Sequence, residues 1–244
     1  MNVVFLGATK GMGRALARRM SARGDRLFLL GRDTADLERS AADLAADGAT
    51  PAGVAQADLA DHRSFGAALD AAFAKLGQVD VIVVTAGLFA TQARLEEDTE
   101  LLRAMLDVDF TGTVLFCEAA RKRLLAQGGG TLAVFSSVAG ERGRKPVVLY
   151  GAAKAGLTRY LEGLDHKYRG EGLRVVTVKP GFVKTGMTAG LKAPPFAGEP
   201  DEVAARVLAG IDRGTPVVYA PAAWGPIRAT IRAMPRVVMR RVGF

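Results

Sequence analysis

The 244-residue chain has a single cysteine, Cys117, and only two histidines, His62 and His166, far apart in sequence. One thiol excludes an internal disulfide. So small a supply of thiol and imidazole offers neither a zinc-ligand set nor a Cys/His nucleophile, and no metal site is expected. Aromatic residues make up 7% of the chain and no basic run is interleaved with them, so the net charge of +8 does not read as a nucleic-acid platform. No apolar stretch approaches the roughly 20 residues of a membrane span. No charged leader precedes the first apolar run at 3–6, so the opening reads as a strand rather than a signal peptide, and the chain as cytoplasmic. No internal repeat or low-complexity linker divides it. The chemistry must come from hydroxyls, amines, carboxylates or a bound cofactor.

The sequence does contain short apolar runs rich in Val, Ile, Leu and Phe, at 3–6, 27–30, 54–57, 79–85, 131–135, 175–178 and 217–219. Unbroken runs of this kind suit strands buried on both faces of a parallel sheet. Between them lie segments with apolar positions at helical spacing, such as 13–23, 34–46 and 61–75. The alternation predicts an α/β fold, a single-domain, Rossmann-like, doubly wound parallel sheet of about seven strands with helices on both faces. The stretch 186–200, rich in Gly, Ala and Pro, predicts a loop or lid.

The first run leads directly into Gly7-Ala8-Thr9-Lys10-Gly11-Met12-Gly13, which opens a helix. Small residues at such a turn let backbone approach a pyrophosphate, and the helix N-terminus offers N–H groups and its positive dipole end. The second run ends at Gly31-Arg32-Asp33. An acid at its end would accept hydrogen bonds from a ribose 2′-hydroxyl; glycine stands there instead. Arg32 and Lys10 suit a 2′-phosphate, which points to NADP(H), while Asp33 can cap the next helix. Further on, Tyr150 and Lys154 lie four apart on one helical face, thirteen residues after Ser137 at a strand end. A lysine ammonium beside a phenol favours phenolate, and a serine hydroxyl can bind a substrate oxygen as charge develops on it.

These motifs resemble the short-chain dehydrogenase/reductase family over residues 1–220. The resemblance implies a hydride exchange between NADP(H) and a carbonyl or alcohol, with Ser137, Tyr150 and Lys154 as catalytic residues. Asp109, in Val108-Asp109-Phe110-Thr111-Gly112, stands where the family places a catalytic asparagine. The cofactor would meet Gly7, Thr9, Lys10, Gly11, Met12, Gly13, Arg32, Asp58, Leu59, Ala86, Gly87, Tyr150 and Lys154. It would also meet Pro180, Gly181, Val183 and Thr185 of a Pro-Gly-x-Val-x-Thr motif near the nicotinamide. The family habit implies a homo-oligomer. A cofactor-binding regulator that has lost activity, for which Asp109 would argue, and a nucleotide-sugar epimerase, for which the chain ends too soon, are the competing readings.

In style the stretches at 136–142, 150–157 and 219–224 resemble the reductases of decaprenylphosphoryl 2-keto-pentofuranose. That implies a lipid-linked keto-sugar or another lipid-like ketone as substrate, with Arg142, Arg144 and Lys145 near its phosphate. The tail at 221–244 is basic and amphipathic: Arg228, Arg232, Arg236 and Arg240 recur every four residues beside Ile227, Ile231, Met234, Val238 and Val242. Pro235 should divide it into two short helices as a first-turn residue of the second. Two readings stay open. The tail either lies in the headgroup region at the inner face of a membrane or packs on its own core or a neighbouring subunit.

Overall fold

Each apolar run of the sequence becomes a strand, and all seven strands are parallel in one sheet. The computed structural model describes residues 1–48 and 50–241. Along the chain, β1 (Asn2–Leu6), α1 (Gly11–Ala22), β2 (Arg26–Gly31), α2 (Thr34–Ala46), β3 (Gly53–Gln56), α3 (Ser64–Leu76) and β4 (Val81–Val84) form the first half. Then come α4 (Gln92–Glu97), α5 (Thr99–Leu106), a π-helical turn (Asp107–Gly112), α6 (Thr113–Ala126), β5 (Gly130–Phe135), α7 (Val148–Tyr168) and β6 (Leu173–Pro180). The chain continues through α8 (Pro200–Asp212), β7 (Val217–Ala220), α9 (Trp224–Ala233) and α10 (Arg236–Arg241).

The strand order is β3-β2-β1-β4-β5-β6-β7. The chain winds outward from β1 in one direction and from β4 in the other, which leaves a crevice at the carboxyl ends of β1 and β4. Alternate residues of each strand enter two different cores, as the twofold period of a strand demands. Val4 and Leu6 of β1 pack beneath α3, α6 and α7 with Phe116 and Leu157, while Val3 and Phe5 pack beneath α1, α2 and α8 with Leu16 and Val207. Phe65 and Phe116 meet edge to face at 5.3 Å between α3 and α6.

Asp33 caps α2, accepting a hydrogen bond of 3.0 Å from the Asp36 amide. The segment predicted as a loop or lid has one 3-10 turn, Gly186–Thr188, before α8. Its base is pinned by a bridge between Val183 and Gly198. The tail forms two helices as expected, but Pro235 sits just before α10 rather than in its first turn, its carbonyl accepting from the Met239 amide at 3.1 Å. Val242 of the predicted apolar stripe lies outside the described residues. No helix among the described residues is long and apolar enough to cross a membrane.

The π turn matters most for the site. Its last residue, Gly112, seats against the carbonyl of Leu59, and a Cβ there would stand 1.9 Å from that oxygen. Thr113 reinforces the widened turn by donating its hydroxyl to the Val108 carbonyl at 2.8 Å. A Gly112→Ala chain should therefore lose about 1–3 kcal/mol of stability by overpacking, read as a lower urea midpoint at unchanged slope. An unchanged midpoint would show that the turn has room to spare.

Candidate active site

At the crevice the glycine loop folds back on the end of β4. A Cβ on Gly13 would stand 2.1 Å from the Gly7 carbonyl oxygen, and one on Gly7 2.5 Å from the Ala86 amide, so both positions require glycine. Thr85, where the family usually has asparagine, donates its hydroxyl to that same Gly7 carbonyl at 2.8 Å. The first turn of α1 carries neither a side-chain cap nor an acid. Its N–H groups are thus open to an anion, and the residues present fit a pyrophosphate.

Lys10 and Arg32 follow adjacent, in-register strands, β1 and β2, at the same edge. Lys10 is 80% exposed and only loosely paired with Asp36 at 3.4 Å, a contact of little energetic weight. Arg32 is exposed. Asp58 turns its carboxylate to the Ala60 amide at 3.0 Å, and Leu59 is buried in the core, so the side chain of Leu59 faces away from solvent.

Met12, Gly87, Asp109, Ser137, Tyr150, Lys154, Pro180, Gly181, Val183 and Thr185 line one cleft of about 1120 Å³. Gly7, Thr9, Lys10, Gly11, Gly13, Arg32, Asp58, Leu59 and Ala86 lie outside its lining, in the glycine loop and along the edge beyond. Thr185 reaches the loop: its methyl carbon stands 3.3 Å from where a Gly11 Cβ would be.

The charged centre is fully enclosed. Asp109, on the π turn, is 0% exposed and Lys154, on α7, 4%. The Lys154 Nζ lies 3.4 Å from Asp109 Oδ1 and 3.4 Å from the Phe135 carbonyl. Asp109 Oδ1 also accepts from the Leu88 amide at 2.9 Å, and a Cβ on Gly87 would stand 2.9 Å from that same oxygen. Asp109 Oδ2 is buried with no partner among the described residues. Burial raises the Asp109 carboxyl above the usual carboxylate range, against the opposing pull of Lys154.

Tyr150 precedes Lys154 by one helical turn, with the Lys154 Nζ 5.7 Å from its ring centroid. The phenol is pushed above its ordinary value by burial first and then by the negative charge of Asp109, with a hydrogen bond to Ser137 pulling the other way. Without cofactor, burial thus outweighs the lowering expected from the Lys154 ammonium. Ser137 Oγ accepts from the Ala139 amide at 3.1 Å, so its hydroxyl proton points elsewhere, to the Tyr150 oxygen or to a bound carbonyl. The Ser136 hydroxyl is engaged instead by α7, bonded to the Lys154 carbonyl at 3.0 Å and to the Thr158 hydroxyl at 2.7 Å.

Several lining residues carried no signal in the sequence. Phe89 stacks edge to face on Tyr150 at 5.1 Å, and Gln92 accepts from the Leu149 amide at 3.1 Å, steadying the start of α7. The largest surprise is the tail. Trp224 lies flat on Gly181, where a Cβ would meet its indole nitrogen at 1.9 Å, and Ile227, Ile231 and Met234 line the cleft. Arg142 ties the end of α9 down, donating to the Met234 carbonyl at 2.9 Å. The apolar side of α9 thus meets the cleft within the chain itself.

Residues 1–195 match the family model described as short chain dehydrogenase. The chain is 37% identical to an uncharacterised oxidoreductase of Streptomyces coelicolor, over 99% of this chain and 95% of that one. It is 34% identical to an uncharacterised oxidoreductase of Mycobacterium tuberculosis, over 98% of this chain and 96% of that one. Among solved structures it is similar to a short-chain dehydrogenase from Sphingobium yanoikuyae in complex with NADPH. That match has a TM-score of 0.80 at 25% identity and covers 98% of this chain and 95% of the other.

The raised Asp109 carboxyl has a consequence for stability. A group whose native pKa lies above its unfolded one favours the fold while protonated in both states, and that contribution is lost as pH rises through the native value. Asp109→Asn lacks this titration, so the melting temperature of the parent should rise relative to that of the variant as pH falls from 8 toward the ordinary carboxylate value of about 4. Thermal melts across that range check this; a difference between the two that stays constant with pH would refute it.

Proposed function

The chain belongs to the short-chain dehydrogenase family, and from that premise we propose that it is an NADPH-dependent reductase of lipid-like ketones. The observation that carries the reading is the meeting of Ser137, Tyr150 and Lys154 in one cleft beside the open N-terminus of α1. When bound, NADPH supplies the hydride for the carbonyl carbon. Each other part of the work falls to a residue of the chain. Ser137 donates its hydroxyl proton to the carbonyl oxygen and holds it in place. Tyr150, kept protonated by burial and by Asp109, gives its phenolic proton to the oxygen as charge develops there, the form that reduction draws on. Lys154 has three donors, of which Asp109 and the Phe135 carbonyl take two, leaving one for the cofactor ribose. Phe89, Phe182 and Phe196 give the walls an apolar character that favours a lipid-like ketone, with a lipid-linked keto-sugar as one such substrate.

The choice of NADPH over NADH rests on Gly31 at the end of β2, with Lys10 and Arg32 at the same edge. Arg32→Ala should raise the KM for NADPH at least about tenfold, the worth of one charge-assisted contact, while leaving that for NADH unchanged. Equal KM values for the two cofactors in the parent enzyme would overturn the choice.

Tyr150→Phe removes the proton donor and keeps the ring that packs on Phe89. Its turnover of 2-octanone should fall by about a hundredfold or more, with NADPH affinity retained. Near-native turnover would instead favour a cofactor-binding regulator, the reading for which Asp109 in place of asparagine speaks.

A further inference from the structure

Arg144 lies between Ser137 and Tyr150 in sequence, just before the 3-10 turn Lys145–Val147, and it lines the cleft. It is half-buried and shares a small pocket with Val138, Glu141, Arg142, Trp224 and Ile231. Among the described residues no carboxylate offsets its charge: burial alone acts on the guanidinium, holding it below its ordinary value. The acid on the same loop, Glu141, is engaged by Lys179 at 2.6 Å and by the Tyr219 hydroxyl at 2.9 Å. The neighbouring Arg142 is spent on the tail, through the Met234 carbonyl. A guanidinium has five donors and cannot shed its charge, so one held in an apolar wall without a counter-ion lacks a partner of opposite sign.

From this placement we infer that Arg144 is the substrate's anion-recognition residue, and that the cleft takes an apolar ketone carrying a carboxylate or phosphate ester at a distance from the reacting carbonyl. The inference rests on the reductase reading for the carbonyl but not for the anion. The anion pairs with Arg144 in a fork geometry, the apolar body lies against Trp224 and the face of α9, and the carbonyl reaches Ser137 and Tyr150. Selectivity then comes from the penalty on neutral competitors, which leave a half-buried guanidinium unpaired.

The chain has one tryptophan, and it stands in this wall, so Trp224 emission reports binding without turnover. The NADPH-loaded enzyme is titrated with octanoate, octyl phosphate and 1-octanol. The better of the two anions should bind at least about tenfold more tightly than the alcohol, and their order tells carboxylate from phosphate. Arg144→Met should abolish that preference without changing NADPH affinity, and Arg144→Lys should restore part of it. Equal binding of all three ligands, failure of both anions to bind, or a preference that survives in Arg144→Met would overturn the inference. Turnover of 7-oxooctanoate, 7-oxooctyl phosphate and 2-octanone separates it from the reductase reading. Reduction of all three at equal kcat/KM defeats the role of Arg144 alone. Reduction of none, with the anion preference in binding intact, supports Arg144 and defeats the reductase reading.

Discussion

Two opposite charges buried at the floor of the cleft, Asp109 and Lys154, are what the site depends on. Taking a carboxylate and an ammonium out of water costs several kcal/mol per ion, and a buried pair at 3.4 Å is a poor source of stability. What the pair provides is position. It fixes the π turn to α7, and the missing Cβ of Gly87 lets the carboxylate come that close. Because Tyr150 lies one turn before Lys154 on the same face, holding the lysine also sets the phenol, which Phe89 clamps from the other side. Asp109 Oδ1 is met by Lys154 and the Leu88 amide while Oδ2 has no partner among the described residues, and the negative charge raises the Tyr150 phenol as well.

Around this centre the fold supplies a cleft with one polar floor and apolar walls. The floor lies at the carboxyl ends of β1 and β4, where the winding of the sheet reverses and backbone N–H groups face outward. The walls come from segments that are not part of the sheet. One is the loop pinned by Val183 and Gly198; the other is α9, anchored through Trp224 on Gly181 and through Arg142 on Met234. Beside them, Lys179, Glu141 and Tyr219 lock the turn after Ser137 to β6 and β7. The hydroxyl of Ser137 and the guanidinium of Arg144 thus stand on a stretch held at both ends.

The strands were legible because a strand buried on two faces is largely apolar, and such runs alternate along the chain with segments of helical spacing. The glycine loop, Ser137, Tyr150 and Lys154 were legible because their chemistry is written in local spacing. Three things were not. The π turn adds one residue to a helical pattern and barely disturbs its period. The clamp of Phe89 on Tyr150 and the rise of the phenol under Asp109 depend on side chains far apart in sequence. Finally, the amphipathic pattern of 224–234 shows that the helix has an apolar partner but not which one, and a membrane and a cleft ask for the same stripe.

The central claim is that Asp109, acting with burial, helps hold Tyr150 in its protonated form. Its most direct test is the pH dependence of kcat/KM for oxidation of 2-octanol, where Tyr150 must act as a base, in the parent enzyme and in Asp109→Asn. Removing the negative charge favours phenolate, so the rising limb should move to lower pH in the variant while the plateau is kept. A limb that stays where it was, or moves to higher pH, would contradict the account.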